Sequence, residues 1–85
     1  MSIISIFENY GFRARADHSL EWGVGSLVWG HYATVKAVGP DLYKVRYRVW
    51  WYNEDMDPVL EENTEVVLHG ALALGYLFER LPLFR

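Results

Sequence analysis

The chain has 85 residues, 52% hydrophobic and 16% aromatic, with no cysteine and a net charge of −3. That length is one domain, residues 1–85, burying about 60–65% of its unfolded surface and stable by roughly 4–13 kcal/mol. Disulfides and thiolate chemistry are excluded, and a reducing compartment is favoured.

Ile3, Ile6, Phe7 and Tyr10 fall at helical spacing after Ser2, a plausible N-cap, and Gly11 suits the residue just past a helix end. A helix over 2–10 is expected, although Ile-Ile-Ser-Ile-Phe also fits a strand. There is no basic segment ahead of the apolar residues, and Glu8 and Asn9 cut the run short, so no secretory signal is read and a cytoplasmic location is expected. Phe12-Arg13-Ala14-Arg15-Ala16 alternates as a short strand with Phe12, Ala14 and Ala16 inward. Asp17-His18-Ser19 reads as a turn. Residues 20–25 are ambiguous, because Gly23 and Gly25 break any regular element; Trp22 is the residue there expected to reach a core.

Residues 26–52 organise the chain as a long β-hairpin. Tyr43, Val45, Tyr47, Val49 and Trp51 alternate with Lys44, Arg46, Arg48, Trp50 and Tyr52, the period-two signature of a half-covered strand. The preceding run alternates less cleanly, with Leu27, Trp29, His31, Ala33, Val35 and Ala37 on one parity. Opposed residues must share a face. Pairing Val38 with Leu42 across a loop of Gly39-Pro40-Asp41 meets this rule, setting Val35 against Val45, His31 against Val49 and Trp29 against Trp51. Trp29 and Trp51 are then expected on the buried face. The opposite face carries Tyr32, Thr34, Lys36, Lys44, Arg46 and Arg48, with Trp50 and Tyr52 at one end, and is expected to be solvated.

Asp57-Pro58 looks like an N-cap and first helical residue, predicting a helical turn through Glu62. Asn63 then caps a second helix to about Arg80, before Leu81-Pro82. Glu62, Glu65 and Arg80 suit the helix dipole. Val67, Leu68, Ala71, Leu74, Gly75 and Phe78 form its inner stripe, and Val66, Leu72 and Leu77 flank that stripe as spare apolar surface. Gly70 and Gly75 make sense where another backbone approaches. A rival reading makes 65–68 a strand and starts the helix at Ala71. The apolar run 66–78 holds His69 and two glycines and is too short to span a bilayer, so no membrane association is expected.

Chemistry-bearing patterns are sparse. Asn53, Asp55 and Asp57 open like a calcium loop, but Pro58 stands where the loop needs glycine and Thr64 where it needs glutamate. His18, His31 and His69 are too scattered for a metal motif; His31 is expected as a hydrogen-bonded histidine on the core side. No serine sits in a nucleophile context. No catalytic, metal or cofactor residue is assigned.

The charges segregate: basic residues line the hairpin, and Glu54, Asp55, Asp57, Glu61, Glu62 and Glu65 follow it. Mutual neutralisation accounts for this as well as a binding role does. Tyr, Trp and Arg dominate protein interfaces, and Tyr32, Arg46, Arg48, Trp50 and Tyr52 are the candidate partner-binding residues. The same residues could track a phosphate backbone and stack bases, although a net acidic chain opposes that. Trp50, Trp51 and Tyr52 beside Asn53 and Glu54 also resemble a sugar platform. The expected protein is a small α+β domain: an antiparallel sheet of three or four strands on the 26–52 hairpin, an N-terminal helix, and a C-terminal helix on its apolar face. The expected function is non-catalytic binding of another protein, as an inhibitor or adaptor. Nucleic-acid binding is the alternative, and Val66, Leu72 and Leu77 are the candidates for homodimerisation through the C-terminal helix.

Overall fold

A computed structural model describes residues 3–82. The elements in order are α1 (Ile3–Asn9), β1 (Arg13–Ala14), β2 (Leu20–Gly25), β3 (Trp29–Gly39), β4 (Leu42–Tyr52), β5 (Pro58–His69) and α2 (Gly70–Arg80). The fold is α+β. The five strands form one antiparallel meander in the order β1-β2-β3-β4-β5, one or two more than the alternation of the hairpin alone suggests.

α1 ends in a Schellman turn. Gly11, at φ 97°, donates to Glu8 O at 3.0 Å, and Phe12 donates to Phe7 O at 3.1 Å. The Phe7 and Phe12 rings meet at 4.9 Å, the apolar contact that accompanies this turn. The helical reading of the N-terminus holds; the proposed Ser2 cap lies outside the described residues. The strand expected over 12–16 shrinks to Arg13–Ala14. Phe12 is buried, while Ala14 and Ala16 are exposed, because the chain turns away at Asp17-His18-Ser19. Ser19 donates both its hydroxyl (2.6 Å) and its N–H (3.1 Å) to Asp17 Oδ1, and those bonds hold the Asp17 carboxyl below its ordinary pKa. Trp22 packs half-buried against the core as expected.

The β3–β4 register agrees with the face rule from Ala37↔Tyr43 to Trp29↔Trp51, including the like-charged Lys36↔Lys44 pair. The turn differs. Gly39 pairs with Leu42, so Pro40-Asp41 is a two-residue turn with Asp41 at φ 52°, and Val38 is bulged out. The bulge absorbs the one-residue offset that a two-residue turn would otherwise impose on both faces.

The largest correction concerns residues 58–69. They form β5, not a helical turn followed by the first half of a long helix, and α2 is shortened to Gly70–Arg80. β5 runs the length of β4, pairing Leu60 with Trp51 and His69 with Leu42. Leu60, Glu62, Thr64, Val66 and Leu68 lie on the core side, the rest on the basic side. A segment carrying the β-branched residues Thr64, Val66 and Val67 folds straight back and pairs along the length of β4. Glu62 and Glu65 therefore lie on a strand, and α2 has no acidic residue in its first turn, although Arg80 does occupy its last. His69 ends β5.

The buried face of α2 is also displaced from the expected stripe. Gly70, Ala73 and Leu77 are buried, whereas Ala71 is exposed and Leu72 is 63% exposed. Gly70 abuts the Asp41 and Tyr43 side chains and Gly75 meets nothing within 4 Å, so at neither glycine does the backbone approach expected of them occur. The core joins Phe7, Phe12, Leu20, Val35, Val45, Ala73, Leu77 and Leu81. It therefore sits where both helices cover the end of the sheet carrying the start of β2 and β4.

Candidate functional site

Helix length sets what is covered. α2 has 11 residues, about 16 Å of helix, while β4 has 11 residues of strand, about 37 Å. The core-side face beyond Val49 is therefore left without a layer. Val35 and Val45 are 0% exposed at the covered end; the Trp29↔Trp51 cross-strand pair at the other end is 48% and 55% exposed. Leu60, beside Trp51, and Val24, beside His31, continue this patch and are exposed. Trp29 and Trp51 thus occupy the face and register expected of them but not the burial. Midway, the Tyr47 hydroxyl lies 3.2 Å from His31 Nδ1 and 3.5 Å from the Arg80 carbonyl, marking where the helical layer stops.

The opposite face carries the residues expected to bind a partner, and it is tied together internally. Lys44, Arg46 and Arg48 are exposed, as the register requires. Trp50 lies over Gly30, where any Cβ would strike the indole ring. Its Nε1 donates to Ser26 O at 2.9 Å, and Arg48 stacks on it at 5.0 Å. Tyr52 donates to Glu61 (3.2 Å), Tyr32 to Glu21 (2.6 Å), and Arg46 to Asn63 Oδ1 (3.3 Å). Burial, then the bond to Glu21, pushes the Tyr32 phenol above its ordinary pKa. Lys44 Nζ and Glu65 Oε1 are 3.7 Å apart and half-exposed, a contact worth about 0–1 kcal/mol. Two of the acidic residues after the hairpin, Glu61 and Glu65, are thus brought alongside the basic strand by β5, while Glu62 faces the core side and Glu54, Asp55 and Asp57 precede the strand. Tyr32, Arg46 and Arg48, with Asn63, surround a shallow hollow of about 140 Å³. Arg48, Trp50 and Tyr52 line another of about 460 Å³ with Ser26, Leu27 and Met56.

The turn at 53–57 is held by Asn53 Oδ1, which accepts from the Asp55 and Asp57 N–H groups at 2.9 and 3.0 Å. Among the described residues, no group of three or more His, Asp or Glu side chains is placed to hold a metal ion, and no helix is long and apolar enough to cross a membrane.

The three self-association candidates do not share a surface. Leu72 is exposed, Val66 half-buried on β5, and Leu77 fully buried. Leu77 is corrected to a core residue, because a helix starting at Gly70 turns that position onto the sheet. The sequence reading missed Val24, Trp29, Trp51 and Leu60 as surface residues. The available signal was a mismatch between long strands and one short covering helix, visible only once 58–69 is known to be strand. No family model, curated protein or solved structure matches the chain.

Proposed function

We propose that this protein is a non-catalytic module that binds another protein, as an inhibitor or adaptor, through the uncovered aromatic end of its sheet. The observation that carries this reading is where the exposed apolar residues gather. Val24, Trp29, Trp51 and Leu60 share the core-side face at the end remote from the helices, and Leu27 and Val28 lie in the loop between β2 and β3 at that end. Contiguous apolar surface of this kind marks interaction sites, and tryptophan is the residue most enriched among interface anchors. Each half-exposed indole leaves about 100 Å² to be covered, about 2–3 kcal/mol apiece. Arg48, Trp50, Tyr52, Arg46 and Tyr32 lie on the reverse of the same sheet and form a secondary surface in this reading.

The test compares wild type with Trp29→Ala/Trp51→Ala and with Arg46→Ala/Arg48→Ala, each immobilised and exposed to nuclease-treated native host lysate. Quantitative mass spectrometry should find a protein whose retention falls about tenfold or more in the tryptophan variant and much less in the arginine variant. A retained set unchanged by loss of both tryptophans would overturn the proposal. Arg48 stacked on Trp50 keeps nucleic acid as a second reading. It requires binding of oligonucleotides with a log–log salt slope of roughly −3, lost in Arg46→Ala/Arg48→Ala. Glu61 and Glu65 beside these arginines oppose it.

A further inference from the structure

We infer that β5 is a self-pairing edge, and that two copies of the chain join through it into one continuous antiparallel sheet. Among the described residues nothing pairs with the outer edge of β5. The direction of its backbone groups follows from one bond: Gly70 donates to the Asp41 carbonyl at 3.1 Å, continuing the Leu42↔His69 register. By alternation, Leu68, Val66, Thr64 and Glu62 turn their N–H and C=O groups toward β4, and Glu61, Asn63, Glu65 and Val67 turn theirs outward. Past Pro58 the strand contains no proline, so this outward row is complete.

For a second copy of the chain, the glutamates restrict the register. An antiparallel edge pair must match outward groups with outward groups, and like charges directly opposite are destabilising. A two-fold axis at Thr64 sets Asn63 against Glu65 of the second copy, Glu61 against Val67, and Glu62 against Val66. No two acids meet. Moving the axis to Asn63 opposes Glu61 to Glu65; moving it to Glu65 or Glu62 opposes that residue to itself. Charges that ordinarily blunt an edge here leave open the one long register centred on Thr64.

The same register joins two exposed apolar regions from opposite ends of β5. It places Leu60 against Leu68 of the second copy, beside Leu72, which is 63% exposed. Leu68, Ala71, Leu72 and Gly75 line an open hollow of about 320 Å³ between β5 and α2. Each α2 therefore extends the missing helical layer toward Leu60 and Trp51 of the other copy, leaving Trp29 and Val24 free. The closed two-fold arrangement is the commonest for identical chains. This inference does not depend on the partner-binding proposal, because it is measured on the purified protein alone.

Sedimentation velocity across micromolar concentrations should find a dimer. Thr64→Cys supplies the register test. At the axis the two Cα atoms would lie about 4.5 Å apart, within disulfide range, and the chain has no other cysteine to compete. Mild oxidation should convert Thr64→Cys to a covalent dimer and leave Val66→Cys uncoupled. Asn63→Pro deletes one outward N–H without touching the ladder to β4, and Leu72→Glu charges the apolar contact. Each should raise the dimer dissociation constant about tenfold or more, with the far-ultraviolet circular dichroism of the fold retained. A wild type that stays monomeric at high micromolar concentration overturns the inference. So does a dimeric Thr64→Cys preparation that fails to cross-link.

Discussion

Leu77→Ala against Leu72→Ala tests which face of α2 meets the sheet. Leu77 is 0% exposed, in one cluster with Phe7, Val35, Val45 and Leu81; Leu72 is 63% exposed. Truncating Leu77 removes buried methyl groups and leaves a cavity, a combined cost of about 2–5 kcal/mol, with about 3 a reasonable centre. Against a total of roughly 4–13 kcal/mol for a chain this long, that is a quarter or more of the stability. At about 4–8 °C per kcal/mol for a domain of this size, the Tm should fall by about 12–24 °C. Leu72→Ala gives up little contact and should stay within about 0.5 kcal/mol. The assay is thermal and urea unfolding followed by circular dichroism, run dilute enough that self-association does not contribute. The urea m-value should stay constant, so that a midpoint shift reports stability. If Leu72→Ala costs as much as Leu77→Ala, the helix is rotated toward the stripe that the periodicity of residues 63–80 suggests, and the core assignment fails.

Two further outcomes follow from the hairpin. Gly30→Ala should cost about 1–3 kcal/mol, because its Cβ collides with the Trp50 ring, and should shift the tryptophan emission; an unchanged spectrum and midpoint would refute the packing of Trp50 over Gly30. Burial and its bond to Glu21 raise the Tyr32 phenol pKa, so the unfolded chain loses this proton first, at about pH 10. The stabilisation is complete below that pH and is lost as pH rises through the higher folded value. Tyr32→Phe should remove one phenolate step lying above the ordinary tyrosine value and part of the alkaline fall in stability; an absorbance titration unchanged above that value would contradict this.

What was legible in the sequence is local. The N-terminal helix and its Gly11 terminus, the turn at Asp17-His18-Ser19, the register of the long hairpin and the exposure of Lys44, Arg46 and Arg48 all depend on neighbours in the chain or on one short turn. A period of two, or a glycine past a helix, states such outcomes directly. Even there a bulge at Val38 was invisible, because two turn lengths with different compensations satisfy the same face rule.

The assignment of residues 58–69 was decided by tertiary structure. Asp57-Pro58, the glutamates and the apolar residues after Asn63 fit a helix start, while the rival reading of 65–68 as strand with the helix from Ala71 agrees with β5 ending at His69 and α2 starting at Gly70. β4 decides between them, because a segment folded straight back adds a ladder of a dozen residues along its length, which outweighs a modest helical preference. From that single substitution of strand for helix the rest follows. The sheet gains its fifth strand, α2 starts at Gly70 and turns Leu77 inward, and Glu61 and Glu65 come to lie on the face of the arginines. The same residues that lengthen the sheet are withdrawn from the helix that would have covered it, and so Trp29 and Trp51, apolar and correctly paired, end at the surface. Alternation along a strand determines which side chains share a face; whether that face is buried depends on how much chain remains to lay over it.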